Sequence, residues 1–394
     1  MAGQYSHRQF FRKIPNSQLA DYFLIKSIDL GVNLQKLKET DVEPIFQALS
    51  ALPENKQAAI EADFQNINAL ACDSGIAALL NEADFYGDTD FPESIAAIDG
   101  YHAKAMWTLI HKPKFWKGAS ALLHADTVSR RSWKKRNDLP TVPPHVEDGD
   151  IKDLERAISH YFSKTEYRGR NCKVEPYRKV ETGKEYFFAY PEDYGQSSVE
   201  WESDTLATRS HHPAFEIIFV YCQSEGSLDI YAPKNTKAIP ELQKIFAKSI
   251  LKLNTLPDGT IDKRVYKLDP LSDPNFDFKI PEHSNIKDVI VNKIRLTLKY
   301  GSLRRITLEA DTTNNKKAVY ELLDELKIPP HYITLVGIKV IFDNGEGKRP
   351  STKTFSISHP NSCNLNHEGR DNIIRQMLVN SKIEPQLEKD TSAP

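Results

Sequence analysis

Residues 293–310 read KIRLTLKYGSLRRITLEA, two runs of alternating apolar and polar residues around a Gly301-Ser302-Leu303 loop. The apolar positions are Ile294, Leu296, Leu298 and Tyr300, then Ile306, Leu308 and Ala310. A period of two residues places each set on one face of a strand. A short glycine-bearing loop between two such runs predicts a β-hairpin. Setting Leu298 opposite Ile306 aligns the two apolar faces. That register puts Thr297 opposite Thr307, Arg295 opposite Glu309 and Lys299 opposite Arg305. Like charges directly across a ladder are destabilising unless an anion answers them, so the outward row, Lys293, Arg295, Lys299 and Arg305 with Arg304 by the turn, is a candidate binding surface.

The same change of period organises the chain on either side. Downstream, helix 316–326 follows the hairpin, and strands 334–342 and 353–357 precede helix 366–379. Upstream, 172–177 and 185–190 flank the turn VETGK, while the nearly continuous apolar run 215–221 turns through QSEG into 227–232 ahead of helix 240–251. Hairpins followed by helices predict antiparallel sheets covered by helices, an α+β fold. A doubly wound nucleotide fold would need crossover helices between strands in place of short turns. The three passages differ in spacing and residues, so they are not a sequence repeat.

Residues 1–125 read differently. In the run 56–80, Ile60, Phe64, Ile67 and Leu70 recur at helical steps behind Pro53, with an interruption expected near Gly75. Apolar clusters around Leu19 to Leu24, Val42 to Leu49 and Phe91 to Ile110 extend the pattern into a helical domain. Residues 126–150 are polar and proline-bearing (LPTVPPH at 139–145), which predicts an exposed connection. Helix 151–162 follows. The α+β region runs to 380, and 381–394 reads as a tail.

At 394 residues, 27% charged and 40% hydrophobic, the chain has the composition of a folded soluble protein of two or three domains. A net charge of -2 excludes a uniformly basic nucleic-acid coat but leaves room for local basic patches. The sequence has no apolar run long enough to span a bilayer and no hydrophobic leader core, which predicts no membrane partner. Four scattered cysteines fit a reducing, cytoplasmic setting.

The densest basic interval is 112–136, with eight cations against one acid, Asp126. Arg130, Arg131, Lys134, Lys135 and Arg136 could meet phosphates, with Trp133 stacking on a base. A solvated linker would show the same composition. Arg168 and Arg170 flank Gly169 in an aromatic-rich stretch and offer a second ligand pocket, against a core role for the same aromatics. Glu216 and Asp229 could hold a divalent metal for phosphoryl hydrolysis. His211 and His212, and the segment from His359 to His367 around Cys363, lack a metal-ligand spacing. No Walker loop, Rossmann glycine fingerprint, HExxH or GxSxG motif occurs, and no cofactor is expected. The expectation is a non-enzymatic protein that contacts DNA or RNA, or a regulatory adaptor, through basic surfaces. A metal-dependent nuclease and a protein-interaction scaffold are the alternatives.

Overall fold

Helices occupy the first third of the chain and sheets the rest in the computed structural model, which describes residues 5–128, 133–202, 205–257, 265–299, 304–345, 347–366 and 369–384. The chain divides into two units, one running to Thr127 and including Tyr177–Thr182, the other holding the remainder from Val128. The architecture is α+β.

The first unit contains α1 (His7–Phe11), α2 (Asn16–Ile25), α3 (Glu43–Ser50), α4 (Glu54–Leu70), α5 (Asp73–Phe85), α6 (Phe91–Ala96), α7 (Tyr101–His111) and α8 (Trp116–Thr127). Pro53 precedes α4, whose Ile60, Phe64, Ile67 and Leu70 are all buried. The break expected near Gly75 falls earlier, between Leu70 and Asp73. The segment 177–182, a strand end and the turn after it, is held by Asn81 of α5, which donates to the Arg178 carbonyl at 3.0 Å and accepts from the Val180 amide at 2.8 Å. At the next position, the buried Glu82 carboxyl lies where a side chain at Gly118 of α8 would stand.

The second unit runs, in chain order, through β1 (Trp133–Arg136), α9 (Asp148–Glu166), β2 (Cys172–Lys179), β3 (Lys184–Pro191), β4 (Gln196–Glu202), β5 (Thr205–His211), β6 (Ile217–Cys222), β7 (Ser227–Tyr231), α10 (Ile239–Ser249), β8 (Ile286–Leu298), β9 (Arg305–Glu309), α11 (Ala318–Glu325), β10 (His331–Phe342), β11 (Ser351–Ser358), β12 (Ser362–Cys363) and α12 (Gly369–Asn380). Two five-stranded sheets form, in the orders β1-β7-β6-β3-β2 and β12-β11-β10-β8-β9. In the first, Phe187, Phe219, Leu228 and Ile230 pack against Leu154, Ile158 and Phe162 of α9 and Leu242 and Phe246 of α10. In the second, Ile294, Leu296, Leu308, Val336, Ile338 and Phe355 pack against Val319 and Tyr320 of α11 and Ile374, Met377 and Leu378 of α12. Among the described residues strands β4 and β5 pair only with each other, a two-stranded ribbon on which Val199, Trp201 and Leu206 are exposed. Among the described residues no helix is long and apolar enough to cross a membrane.

The polar stretch after residue 126 contains a strand where composition predicts an exposed connection. Trp133–Arg136 pairs with β7, Lys135 standing opposite Asp229. Its other side meets the second sheet, where the Lys135 amide donates to the Asn361 carbonyl at 3.1 Å and the Ser362 hydroxyl to the Trp133 carbonyl at 3.3 Å.

The hairpin forms, but in a different register. Leu296 faces Ile306, Thr297 faces Arg305, Arg295 faces Thr307 and Lys293 faces Glu309. The slip from the sequence expectation is two residues, which returns every side chain to the same face, so apolar alternation cannot distinguish the two registers. Strand β10 settles the matter. Lys299 leaves the ladder to donate its amide to the Pro330 carbonyl at 2.9 Å, and Leu298 closes the hairpin on the Arg304 carbonyl at 3.0 Å. Lys299 and Arg305 are therefore not opposed.

Candidate functional site

In the second sheet, alternation sends one set of side chains to the helices and the other away from them. Three cross-strand rows make up the outward set. Tyr332, Thr297 and Arg305 form the first, from β10, β8 and β9. Ser358, Leu335, Arg295 and Thr307 form the next, and Ser356, Gly337, Lys293 and Glu309 the third. Beyond them Lys339 stands beside Thr354. Hydroxyls and cations thus dominate this face.

Its charges are answered unevenly. Lys293 pairs with Glu309 at 2.6 Å. Lys339 lies close enough to Asp311 to help hold that carboxyl below its usual range, behind the Thr313 hydrogen bonds. Arg295 and Arg305 sit diagonally across the ladder, and among the described residues neither forms an ion pair. Burial, and then the Arg305 charge, push the Arg295 guanidinium below its ordinary value. The Arg295 Nε is shielded from solvent and has no hydrogen-bond partner. A buried donor left unmade costs about 1–3 kcal/mol, so this end of the sheet is chemically unfinished.

The backbone around the pair is irregular in a useful place. Strand β10 carries a bulge between Ile333 and Leu335, which brings the Tyr332 and Leu335 rows into succession. The Thr334 hydroxyl at that bulge donates to the Arg295 carbonyl at 3.2 Å and meets the Thr297 hydroxyl at 3.1 Å. Bulges re-aim side chains by increasing local twist. Tyr332 emerges beside them 44% exposed. Sequence reading begins this strand at Thr334 and so omits Tyr332, although the alternation of HYITLVGIKVIF extends back to His331.

The other sequence candidates lie elsewhere. Arg130 and Arg131 fall outside the described residues. Trp133 and Lys135 point to the same side of β1 and are buried, which corrects their expected role as surface contacts. The Trp133 indole packs 5.4 Å from the Tyr231 ring, out of reach of a base. Lys134 is half-buried, and desolvation pushes its ammonium below the ordinary value. Arg136 is engaged in a bidentate pair with Asp138 at 2.7 and 2.8 Å. Lys299 and Arg304 are exposed beside the hairpin loop.

Lys135 anchors a buried charge network. Its ammonium meets Glu384 at 2.5 Å and Glu225 at 3.1 Å. Asp229, Lys184 and Arg375 complete a set of three cations and three carboxylates that sense one another's charge. Burial alone would lower the Lys135 ammonium, but the three carboxylates raise it well above its ordinary value. Burial likewise opposes ionisation of Glu225, and Lys135, Lys184 and the Ser227 hydroxyl outweigh it, pulling the carboxyl down to about 2. Lys135 and Glu225 are thereby held in their charged forms, and their pairing serves as a joint between the sheets.

Arg168 does not offer a free pocket. Its guanidinium donates to Glu166, Asp193 and Asn235 at 2.8, 2.8 and 2.5 Å and lies 4.1 Å from the Phe215 ring centre. Gly169, with φ of +78°, brings the chain against Phe162, where an added Cβ would stand 2.7 Å from the phenylalanine Cβ. Close packing, and not a ligand, explains that glycine. Arg170 is exposed. Burial and Glu155 push the Cys172 thiol up to about 12, which keeps it protonated and a poor nucleophile.

Glu216 and Asp229 are not brought together. Asp229 pairs across from Val220, four residues along the chain from Glu216, a separation of about 13 Å on an extended strand. Among the described residues no three His, Cys, Asp or Glu side chains converge on one point. His212 instead meets Glu192 at 3.2 Å at the base of the β4–β5 ribbon. No protein-family model matches the chain, and none of the curated proteins is similar to it.

Proposed function

We propose that this protein contacts nucleic acid through the outward face of its second sheet and acts as a binding protein, without bond-breaking chemistry at that face. The observation that carries the reading is the Arg295–Arg305 pair, two neighbouring guanidinium groups without a carboxylate partner, one of them with an unmade donor. Like charges held together in a ladder cost energy, and a phosphate between them removes that cost while taking up the free Nε–H. Strands fix the spacing of the two side chains, so little conformational freedom is lost on binding. Ser358 and Thr307 add hydroxyl donors to the Arg295 row, and Ser356 one to the row beside it.

The test is a salt titration of binding to labelled decamers of single-stranded DNA and RNA and to a duplex. The unmodified protein is expected to retain at least one of them, with an affinity that falls as salt rises. For two phosphate contacts on a single strand, the slope of log affinity against log salt is about −1.4. The double reversal R295E/R305E should abolish that contribution. Affinity unchanged in the folded double variant overturns the proposal.

A further inference from the structure

We infer that the strand bound at this face is single and unpaired, with one base lying on the Tyr332 ring while its neighbouring phosphates meet Arg305 and Arg295. The inference rests on the polyanion reading above and adds to it the form of the ligand.

Three features carry it. Tyr332 shares the first outward row with Thr297 and Arg305, so the ring and the guanidinium stand on the same face two strand spacings apart, about 10 Å. Arg295 belongs to the next outward row, about 7 Å along the strands. The ring is the one exposed large aromatic on this sheet among the described residues. Two neighbouring cations to one side of an exposed ring can hold successive phosphates of a backbone and leave the adjoining base to stack on the ring. In a duplex both faces of a base are already covered by its neighbours, and only edges are presented in the grooves. A duplex would use the arginines and leave the ring idle. Recognition of single strands by splayed bases on sheet aromatics, with the backbone held by cations, follows from the same chemistry in RNA and in DNA.

The ring is also held at the right place. The bulge at Thr334 separates Tyr332 from the regular part of β10, and the Thr334 and Thr297 hydroxyls tie that irregularity to the backbone under Arg295. The stacking platform and the first phosphate contact are therefore parts of one rigid unit.

Fluorescence anisotropy with three ligands of equal length tests the inference: a single-stranded oligouridine decamer, the same decamer built abasic, and a decamer duplex. Tyr332→Ala is expected to weaken the oligouridine about 5- to 150-fold, the range that loss of one base–aromatic stack produces, while Tyr332→Phe stays near the parent. Both substitutions should leave the abasic decamer and the duplex unchanged. If Tyr332→Ala binds oligouridine as tightly as the parent while R295E/R305E has lost it, the base contact is wrong and the polyanion surface stands. If the parent retains none of the three ligands at low salt, both readings fall. Equal weakening of all three by Tyr332→Ala also overturns the inference, because it marks a general loss of the face.

Discussion

Glu82 shows what one buried carboxyl does to a helical unit. Burial raises it, against a hydrogen bond from Asn81, to about 7. Below the unfolded carboxylate value, about 4.3, both folded and unfolded chains carry the proton and stability is indifferent to it. Between there and about 7 the unfolded chain releases the proton and the folded chain keeps it, so stability falls as pH rises, and it levels off above 7. The total is at most about 4 kcal/mol at roughly 1.4 kcal/mol per unit. Glu82→Gln, which cannot ionise, should flatten this part of the pH profile and raise the urea midpoint of the protein at pH 7.5 relative to pH 5; a slope that persists in the variant would mean that another group is responsible. At the same scale, the residues singled out from composition are only partly surface residues. Nothing in the run 133–136 announces that alternate members are buried, because a lysine reads as exposed until its partners, 90 and 249 positions away, are known.

At the level of elements, the second sheet depends on a close approach that only glycine permits. A Cβ at Gly337 would stand 2.9 Å from the Lys293 Cβ and 3.0 Å from the Asn292 Oδ1, at the second irregularity of the β8–β10 ladder. Gly337→Ala should cost about 1–3 kcal/mol, the range for an overpacked site. On the proposed function it should also weaken nucleic-acid binding through displacement of Lys293 and the neighbouring row, read by denaturation and anisotropy on the same sample. Elements are legible in the sequence where periodicity is long: α4, β6, β8 from Lys293 onward and β10 from Thr334 onward follow from their apolar spacing, whereas 286–292 and 331–333 do not. The β4–β5 ribbon was not read, although Val199 and Trp201 alternate with Glu200 and Glu202, because an apolar face left in solvent imitates a loop. Register escaped for a different reason. A slip of two preserves faces, so the choice between Lys299 and Thr297 as the partner of Arg305 was made by a third strand that the hairpin's own residues do not encode.

Within the sheet-bearing unit as a whole, the network around Lys135 joins the two sheets by charge as well as by packing. Lys135 is buried against Glu384 and Glu225, so removing its nearest acid leaves a buried ammonium with half of its ion pairs. Glu384→Leu should destabilise by about 3–5 kcal/mol, and the pair K135M/E384L, which restores the balance, should recover part of the loss in chemical denaturation. Equal stabilities for the single and paired variants would show the two residues to be uncoupled. The network also has a temporal side. Glu384 lies 249 residues after Lys135, and Asn361 and Ser362 meet the outer edge of β1 from nearly as far along the chain. A ribosome adding roughly 5–20 residues per second needs about 12–50 s to make that stretch. For the last 153 residues of it, once β7 has been made to Tyr231, the first sheet has an open edge and a lysine without its closest acid, a surface that a growing polypeptide must keep from pairing with its neighbours on the same message.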